Sequence, residues 1–322
     1  MQLKDILAVV GDDFQAVDQL IHEQLSSRVP LVEKIAAYIV SSGGKRIRPL
    51  LVLLTARALG HQGENAVKLA AVIEFLHTAT LLHDDVVDKS DLRRGKPTAN
   101  SNWGNPQCVL VGDFLYSRAF QMMVELGSFP VMNILSTTTC VIAEGEVLQL
   151  TNVRNPKITE EQYFTVIQGK TAQLFEASTE GAAALFDAPK EQQEALRRYG
   201  QLLGIAFQLV DDLLDYEGDT EELGKNVGDD LAEGKATLPL IHAIAQAPED
   251  GKQLVKQAIR KGGLEDMESV MAVLRSCGSM EYTRNKAHEC VTEAEEQLKL
   301  LPDSDAKAAL IGLLNLAVQR KN

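Results

Sequence analysis

Residues 64–88 read ENAVKLAAVIEFLHTATLLHDDVVD, a long apolar stretch that runs straight into Asp84, Asp85 and Asp88. Residues 196–215, LRRYGQLLGIAFQLVDDLLD, repeat the design, with Asp211, Asp212 and Asp215 arriving 127 residues after the first cluster. That interval is too long for a solenoid period and fits a pseudo-symmetric pair of helices inside one bundle. Outward from these two stretches, apolar residues recur every three or four positions, as in Val17, Leu20, Ile21 and Leu25, then Leu31, Ile35, Tyr38 and Ile39. This is the helical period. Similar stripes predict helices over 107–126, 130–150, 159–185, 189–216, 235–247, 251–261, 266–275, 280–300 and 304–319. No stretch sustains a strand alternation, so the expected fold is all-α, a single large helical bundle forming one domain over residues 1–322.

The 322 residues carry 32 Lys and Arg against 45 Asp and Glu, a net charge of −13, with 45% hydrophobic residues. This is a globular composition with ample material for a core. The acidic balance opposes a generic binder of nucleic acid or anionic membranes. The first fifteen residues mix Lys4, Asp5, Asp12 and Asp13 into their apolar residues, unlike a signal peptide. No apolar run approaches the roughly 18 residues that span a bilayer. A cytoplasmic protein without stable membrane insertion is expected. Cys108, Cys140, Cys277 and Cys290 stand far apart with no C-x-x-C pair, which reads as reduced thiols.

Helical geometry puts Asp84 and Asp88 on one face, and Asp211 and Asp215 likewise, with Asp85 and Asp212 one step round. Carboxylates at a helix C-terminus meet the negative end of its dipole and repel one another, so such clusters are unfavourable unless cations are supplied. An ordinary solvated turn explains one D-D-x-x-D; it does not explain two, each below a strongly apolar helix. Oxygen-only donors suit a hard cation, and an open carboxylate set completed by water and phosphate oxygens is how Mg²⁺ is usually held. A calcium loop starting at Asp215 would need glycine at Thr220 and glutamate at Asn226, which argues against it.

Carboxylates alone repel a diphosphate, so such a substrate needs metal bridges and basic side chains. Gly43-Gly44-Lys45-Arg46-Ile47-Arg48-Pro49 supplies three cations in a glycine-opened stretch, Arg93 and Arg94 follow the first cluster, Lys225 and Lys235 follow the second, and Lys170-Thr171 lies in a helical segment. Each alone is an ordinary surface patch; with the aspartates they form a pattern. Gly169-Lys170-Thr171 resembles the end of a P-loop, but Phe164 stands where its first glycine belongs and the segment is helical in pattern. His77, seven residues before Asp84, and Gln208, three before Asp211, share the faces of the clusters. A histidine on an apolar helix is more often a core residue, and His83, off that face, reads as structural.

In order and over nearly the whole chain, GGKRIRP, LLHDDVVDKSDLRRGKPTAN, the Lys-Thr pair, FQLVDDLLDYEGD and GKNVGDDLAEGKATLPL resemble the trans-isoprenyl diphosphate synthases. The resemblance implies antiparallel helices around a deep central cavity, usually in a homodimer, with the two aspartate motifs facing each other at its mouth. It further implies that Asp84, Asp85, Asp88, Asp211, Asp212 and Asp215 hold Mg²⁺ on an allylic diphosphate, assisted by Arg93, Lys170, Lys225 and Lys235. Lys45, Arg48, His77 and Arg94 would bind the diphosphate of isopentenyl diphosphate, and Thr171 and Gln208 would face the reacting carbocation.

Chain length follows from the positions five and four before Asp84, Ala79 and Thr80. Short-chain members of the family place bulky residues there, so small ones imply a long product, with Met122 or Met123 as the tunnel floor or as plain core packing. The alternatives are a farnesyl or geranylgeranyl synthase, a terpene cyclase, whose second motif usually carries Asn, Ser and Glu ligands, and a non-catalytic subunit of a heteromeric synthase, which generally lacks an aspartate motif.

Overall fold

The structure, a computed structural model, describes residues 1–217 and 228–319. In chain order its helices are α1 (Leu3–Ala8), α2 (Gly11–Gln24), α3 (Pro30–Ser41), α4 (Ile47–Ala58), α5 (Glu64–Val87), α6 (Ala99–Trp103), α7 (Asn105–Leu126), α8 (Phe129–Asn152), α9 (Glu160–Ile167), α10 (Gln173–Leu185), α11 (Lys190–Glu217), α12 (Asp229–Glu233), α13 (Leu238–Gln246), α14 (Glu249–Lys261), α15 (Met267–Ser276), α16 (Ser279–Gln297) and α17 (Asp305–Val318). The all-α expectation holds, and most long helices begin and end within a few residues of the apolar stripes. The four cysteines are free thiols.

The chain divides into two compact units, each assembled from three segments: Met1–Ser136, Leu174–Arg197 and Leu298–Leu313 in the first, and Thr137–Gln173, Arg198–Gln297 and Leu314–Asn322 in the second. In the first unit α5 is the core helix. It packs on α2, α4 and α7, and Leu69, Ala70, Val72, Ile73 and Ala79 along it are fully buried. Each large apolar side chain so buried contributes roughly 1.5–3 kcal/mol relative to exposure. By length and composition α5 and α8 could each cross a membrane, contrary to the sequence expectation, because 18-residue apolar windows survive their few charges. Core burial accounts for α5, two-thirds of whose window is buried.

At the end of α5 the Asp88 N–H bonds to the Asp84 carbonyl and the Ser90 N–H to the Asp85 carbonyl. Lys89 then takes a left-handed φ of 54° and the chain turns away. A two-residue antiparallel pair follows, β1 (Leu92–Arg93) with β2 (Lys96–Pro97), in the register Leu92 with Pro97 and Arg93 with Lys96. Its turn residues Arg94 and Gly95 both have positive φ, 53° and 72°, as the tightest hairpin turns demand. The Thr98 hydroxyl donates to the Ser90 carbonyl and pins the hairpin beneath α5.

In the second unit Thr159 and Gln162 form a reciprocal capping box that starts α9. The helix then widens into one π turn, Gln168–Ala172, which carries Lys170 and Thr171. Such turns gather at functional sites. Room for it comes from Gly145 of α8: a Cβ there would meet the Lys170 backbone nitrogen at 2.8 Å. Around it, Tyr163, Ile167, Leu209 and Leu213 pack with Leu238, Ile241, Val255 and Ile259 of α13 and α14.

Candidate active site

In the first motif the three aspartates are not equivalent. Asp84 and Asp88 are half-buried, whereas Asp85 is 1% exposed. The hairpin returns Arg93 to it, and the guanidinium forks the carboxylate, Nε donating at 2.9 and 3.0 Å and Nη2 at 2.7 Å. Arg94, at the tip, lies against Gly44, where a Cβ would meet its guanidinium within 2.7 Å; with a φ of 138°, Gly44 leaves space that no other residue would.

Two turns before Asp84, His77 Nε2 accepts from Arg48 Nη1 at 3.2 Å. Burial, reinforced by Arg48, Arg94 and Arg93, pushes this imidazole well below its ordinary range, so it is neutral. The Arg48 guanidinium also stacks over Phe175 at 4.3 Å. Beside it, Glu74 is pushed up by burial while Arg46, Arg48 and Arg94 pull it down. Arg46 takes a left-handed φ of 46° and pairs with Asp18 and, at 3.9 Å, with Glu74. The structure thus gathers Arg48, His77, Arg93, Arg94 and Asp85 into one neighbourhood, with Lys45 exposed at the end of the glycine loop.

The second motif repeats the division. Asp211 and Asp215 are half-buried and Asp212 is 2% exposed. Asp212 is held by neutral donors: Tyr163 Oη at 2.5 Å on Oδ2 and Gln208 Nε2 at 2.8 Å on Oδ1. Burial and then Asp230 push its carboxyl well up, against the pull of those two bonds. The Gln208 carbonyl oxygen in turn accepts from Thr171 Oγ1 at 2.8 Å. Asp215 accepts the Asp230 N–H at 3.2 Å. Lys170 reaches Glu146 of α8 at 2.8 Å, and Lys235 reaches Glu233 at 2.5 Å. Lys225 lies outside the described residues.

Of the residues expected to set product length, Ala79 is fully buried and Thr80 half-buried, its hydroxyl donating to the His77 carbonyl at 2.8 Å. Met122 and Met123 are both 1% exposed. His83 is accounted for by packing: Nε2 lies 3.1 Å from the Val109 carbonyl and its ring stacks on Tyr116, in space that Gly112 leaves. Sequence reasoning missed Tyr163, Glu146, Glu74 and Asp230. A signal existed for Tyr163, which precedes Lys170 by two helical turns, and for Glu146, one of two acids, with Glu144, in a mostly apolar helix.

Among the described residues no three His, Cys, Asp or Glu side chains gather closely enough to hold a metal ion unaided. The donor chemistry nevertheless fits a hard cation, since both motifs offer half-buried carboxylate oxygens. Such an ion would need further oxygens from a diphosphate and water.

The polyprenyl synthetase family model matches residues 29–276. The chain is 53% identical over 321 residues to octaprenyl diphosphate synthase of Escherichia coli (strain K12), covering 99% of each. Among solved structures it is similar to a polyprenyl synthase from Caulobacter crescentus CB15 complexed with calcium and isoprenyl diphosphate, with a TM-score of 0.95 and 42% identity over 100% of this chain and 98% of that one. A decaprenyl diphosphate synthase from Rhodobacter capsulatus also gives 0.95, at 46% identity with both chains fully covered.

Proposed function

The chain belongs to the polyprenyl synthetase family, and from that premise we propose that it condenses isopentenyl diphosphate repeatedly onto an allylic diphosphate, farnesyl diphosphate, to make octaprenyl diphosphate for the side chain of respiratory quinones. It is a prenyltransferase of the long-chain all-trans type with the all-α isoprenoid synthase fold. The observation that carries the reading is the aspartate arrangement built twice with the same division of labour, two half-buried carboxylates flanking a buried, hydrogen-bonded one.

In the proposed mechanism Asp84, Asp88, Asp211 and Asp215 would hold Mg²⁺, which when bound neutralises charge on the departing diphosphate. Asp85 and Asp212, whose carboxylates keep lone pairs beyond the hydrogen bonds from Arg93 and from Tyr163 and Gln208, would complete the set. Arg93, Lys170, Lys225 and Lys235 add positive charge around the allylic diphosphate. Lys45, Arg48 and Arg94 hold the diphosphate of isopentenyl diphosphate, with neutral His77 contributing a polar contact and no charge. As the allylic C–O bond breaks, its electron pair leaves with diphosphate and a carbocation forms; the alkene of isopentenyl diphosphate supplies the pair for the new C–C bond, and the lost proton goes to diphosphate. Thr171 and Gln208 face the cation through oxygen, an electrostatic contribution. Ala79 and Thr80 leave room for a lengthening tail.

We read residues 1–322 as one synthase domain, because each compact unit draws on three separated segments. Exposed apolar residues on α7 and α8 support a homodimer: Leu110, Val124 and Phe129 are 67%, 64% and 81% exposed. The reading includes a cytoplasmic location without membrane insertion, supported by the burial of α5 as a core helix.

The test is incubation of the purified chain with Mg²⁺, farnesyl diphosphate and labelled isopentenyl diphosphate, followed by chromatography of the dephosphorylated alcohols. A C40 alcohol is expected. Products ending at C15 or C20 would assign the shorter-chain activity, and no condensation would overturn the proposal.

A further inference from the structure

The Lys-Thr π turn and the second aspartate motif are joined by one continuous hydrogen-bond chain, Tyr163 to Asp212 to Gln208 to Thr171. Its direction is fixed by chemistry. An ionised Asp212 carboxylate, the form that serves as a metal ligand, only accepts; with Tyr163 Oη donating to Oδ2, Gln208 turns its NH₂ to Oδ1 and its carbonyl to Thr171. The Thr171 hydroxyl must then donate to Gln208, and its lone pairs point elsewhere. With the opposite amide orientation that hydroxyl would accept from Gln208, and its hydrogen would point outward instead. Tyr163 itself is out of reach of substrate: it is 4% exposed, set edge-on to Phe164 and packed among Ile167 and Leu209.

We propose that Tyr163 is a positioning residue for prenyl transfer, which through Asp212 locks the Gln208 amide and so aims the lone pairs of Thr171 at the developing allylic cation. This rests on the reading above that Thr171 faces the reacting carbon. The effect belongs to the transition state, because only there does the carbon carry the charge that an oxygen lone pair stabilises.

The experiment compares kcat and KM for both diphosphates in Tyr163→Phe, Thr171→Val and the double variant, with the thermal midpoint of each. Y163F is expected to lower kcat by about ten- to a hundredfold with both KM values within about twofold, the signature of a lost transition-state contact. 3-Fluorotyrosine at position 163 keeps the donor and is expected to restore kcat to within about threefold. In the T171V background Y163F is expected to add nothing, since the two act through one chain. A folded Y163F with wild-type kcat, beside an impaired T171V, overturns this inference alone, as does a Y163F loss of equal size in both backgrounds. A T171V variant with wild-type kcat overturns the placement of Thr171 beneath it. Should Y163F fail to fold, Gln208→Leu is used: T171V adds no loss to Q208L if the amide orients the hydroxyl, and adds its full loss if it does not.

Discussion

Arg93 reaches back eight residues to fork Asp85 with three hydrogen bonds of 2.7–3.0 Å, and it does so from a hairpin whose turn exists only because Arg94 and Gly95 accept positive φ. Removing one partner of a buried ion pair strands the other, at about 3–5 kcal/mol. Arg93 is 23% exposed, so solvent relieves part of this and Arg93→Ala is expected to lose about 2–3 kcal/mol in a urea titration. Adding Asp85→Asn removes the stranded charge and should recover much of the loss. Arg93→Lys keeps the charge without the fork and should fall between. A Y-shaped denaturation series in which the double variant is the least stable would contradict the pairing.

Because no three carboxylates gather among the described residues, magnesium and diphosphate are expected to bind as a unit. Magnesium alone, or inorganic pyrophosphate alone, should raise the thermal midpoint little, and the two together by more than the sum of their separate shifts. A large shift from magnesium alone would point to a preformed cage. Asp84→Ala and Asp211→Ala should each cut kcat by two or more orders of magnitude, about 3 kcal/mol or more of barrier, with unchanged circular dichroism.

The neutral imidazole of His77 makes stability depend on pH. Its folded pKa lies well below the ordinary 6.5, so between the two values the unfolded chain binds the extra proton and stability rises with pH. The contribution is complete above about 6.5 and is lost as pH falls. Glu74 acts with the opposite sign, because its folded pKa is raised above 4.5 and the folded chain holds the extra proton there. His77→Asn is expected to flatten the rise of unfolding free energy between pH 5 and about 6.5. A slope identical to that of the parent would assign the dependence to another group.

How much of this was legible depended on the kind of signal. Apolar periodicity gave the long helices, and the repeated D-D-x-x-D gave the two motifs, because period and charge are local properties of the chain. Burial is not local. Spacing put Asp85 and Asp212 one step off the face of their neighbours, but only packing shows that Arg93 and Tyr163 claim them. The hairpin at 92–97 is too short for alternation to register, and α9 continuing into α10 reads as one stripe, since a single wide turn hardly alters the period. Arg46 shows the limit of motif reading: one of three cations in GGKRIRP, it turns to Asp18 and Glu74 instead of standing with Arg48 beside His77.

The π turn also yields the sharpest test of packing. A Cβ on Gly145 would lie 2.8 Å from the Lys170 backbone nitrogen and 3.0 Å from the Gly169 carbonyl carbon, and neither backbone atom can swing aside as a side chain would. A Cβ on Gly169, facing the same crossing, would meet its nearest atoms at 3.5 Å, ordinary contact. Gly145→Ala is therefore expected to push the π turn away from α8, lower the thermal midpoint and reduce kcat at least tenfold by moving Lys170 and Thr171, a displacement near 1 Å being enough for about a hundredfold. Gly169→Ala, helical and unobstructed, should keep its fold, with the removal of a helical glycine offsetting the closer contact by about 0.5–1 kcal/mol. Equal losses in the two variants would show that the crossing tolerates neither methyl and that glycine at 145 has no special part in shaping the turn.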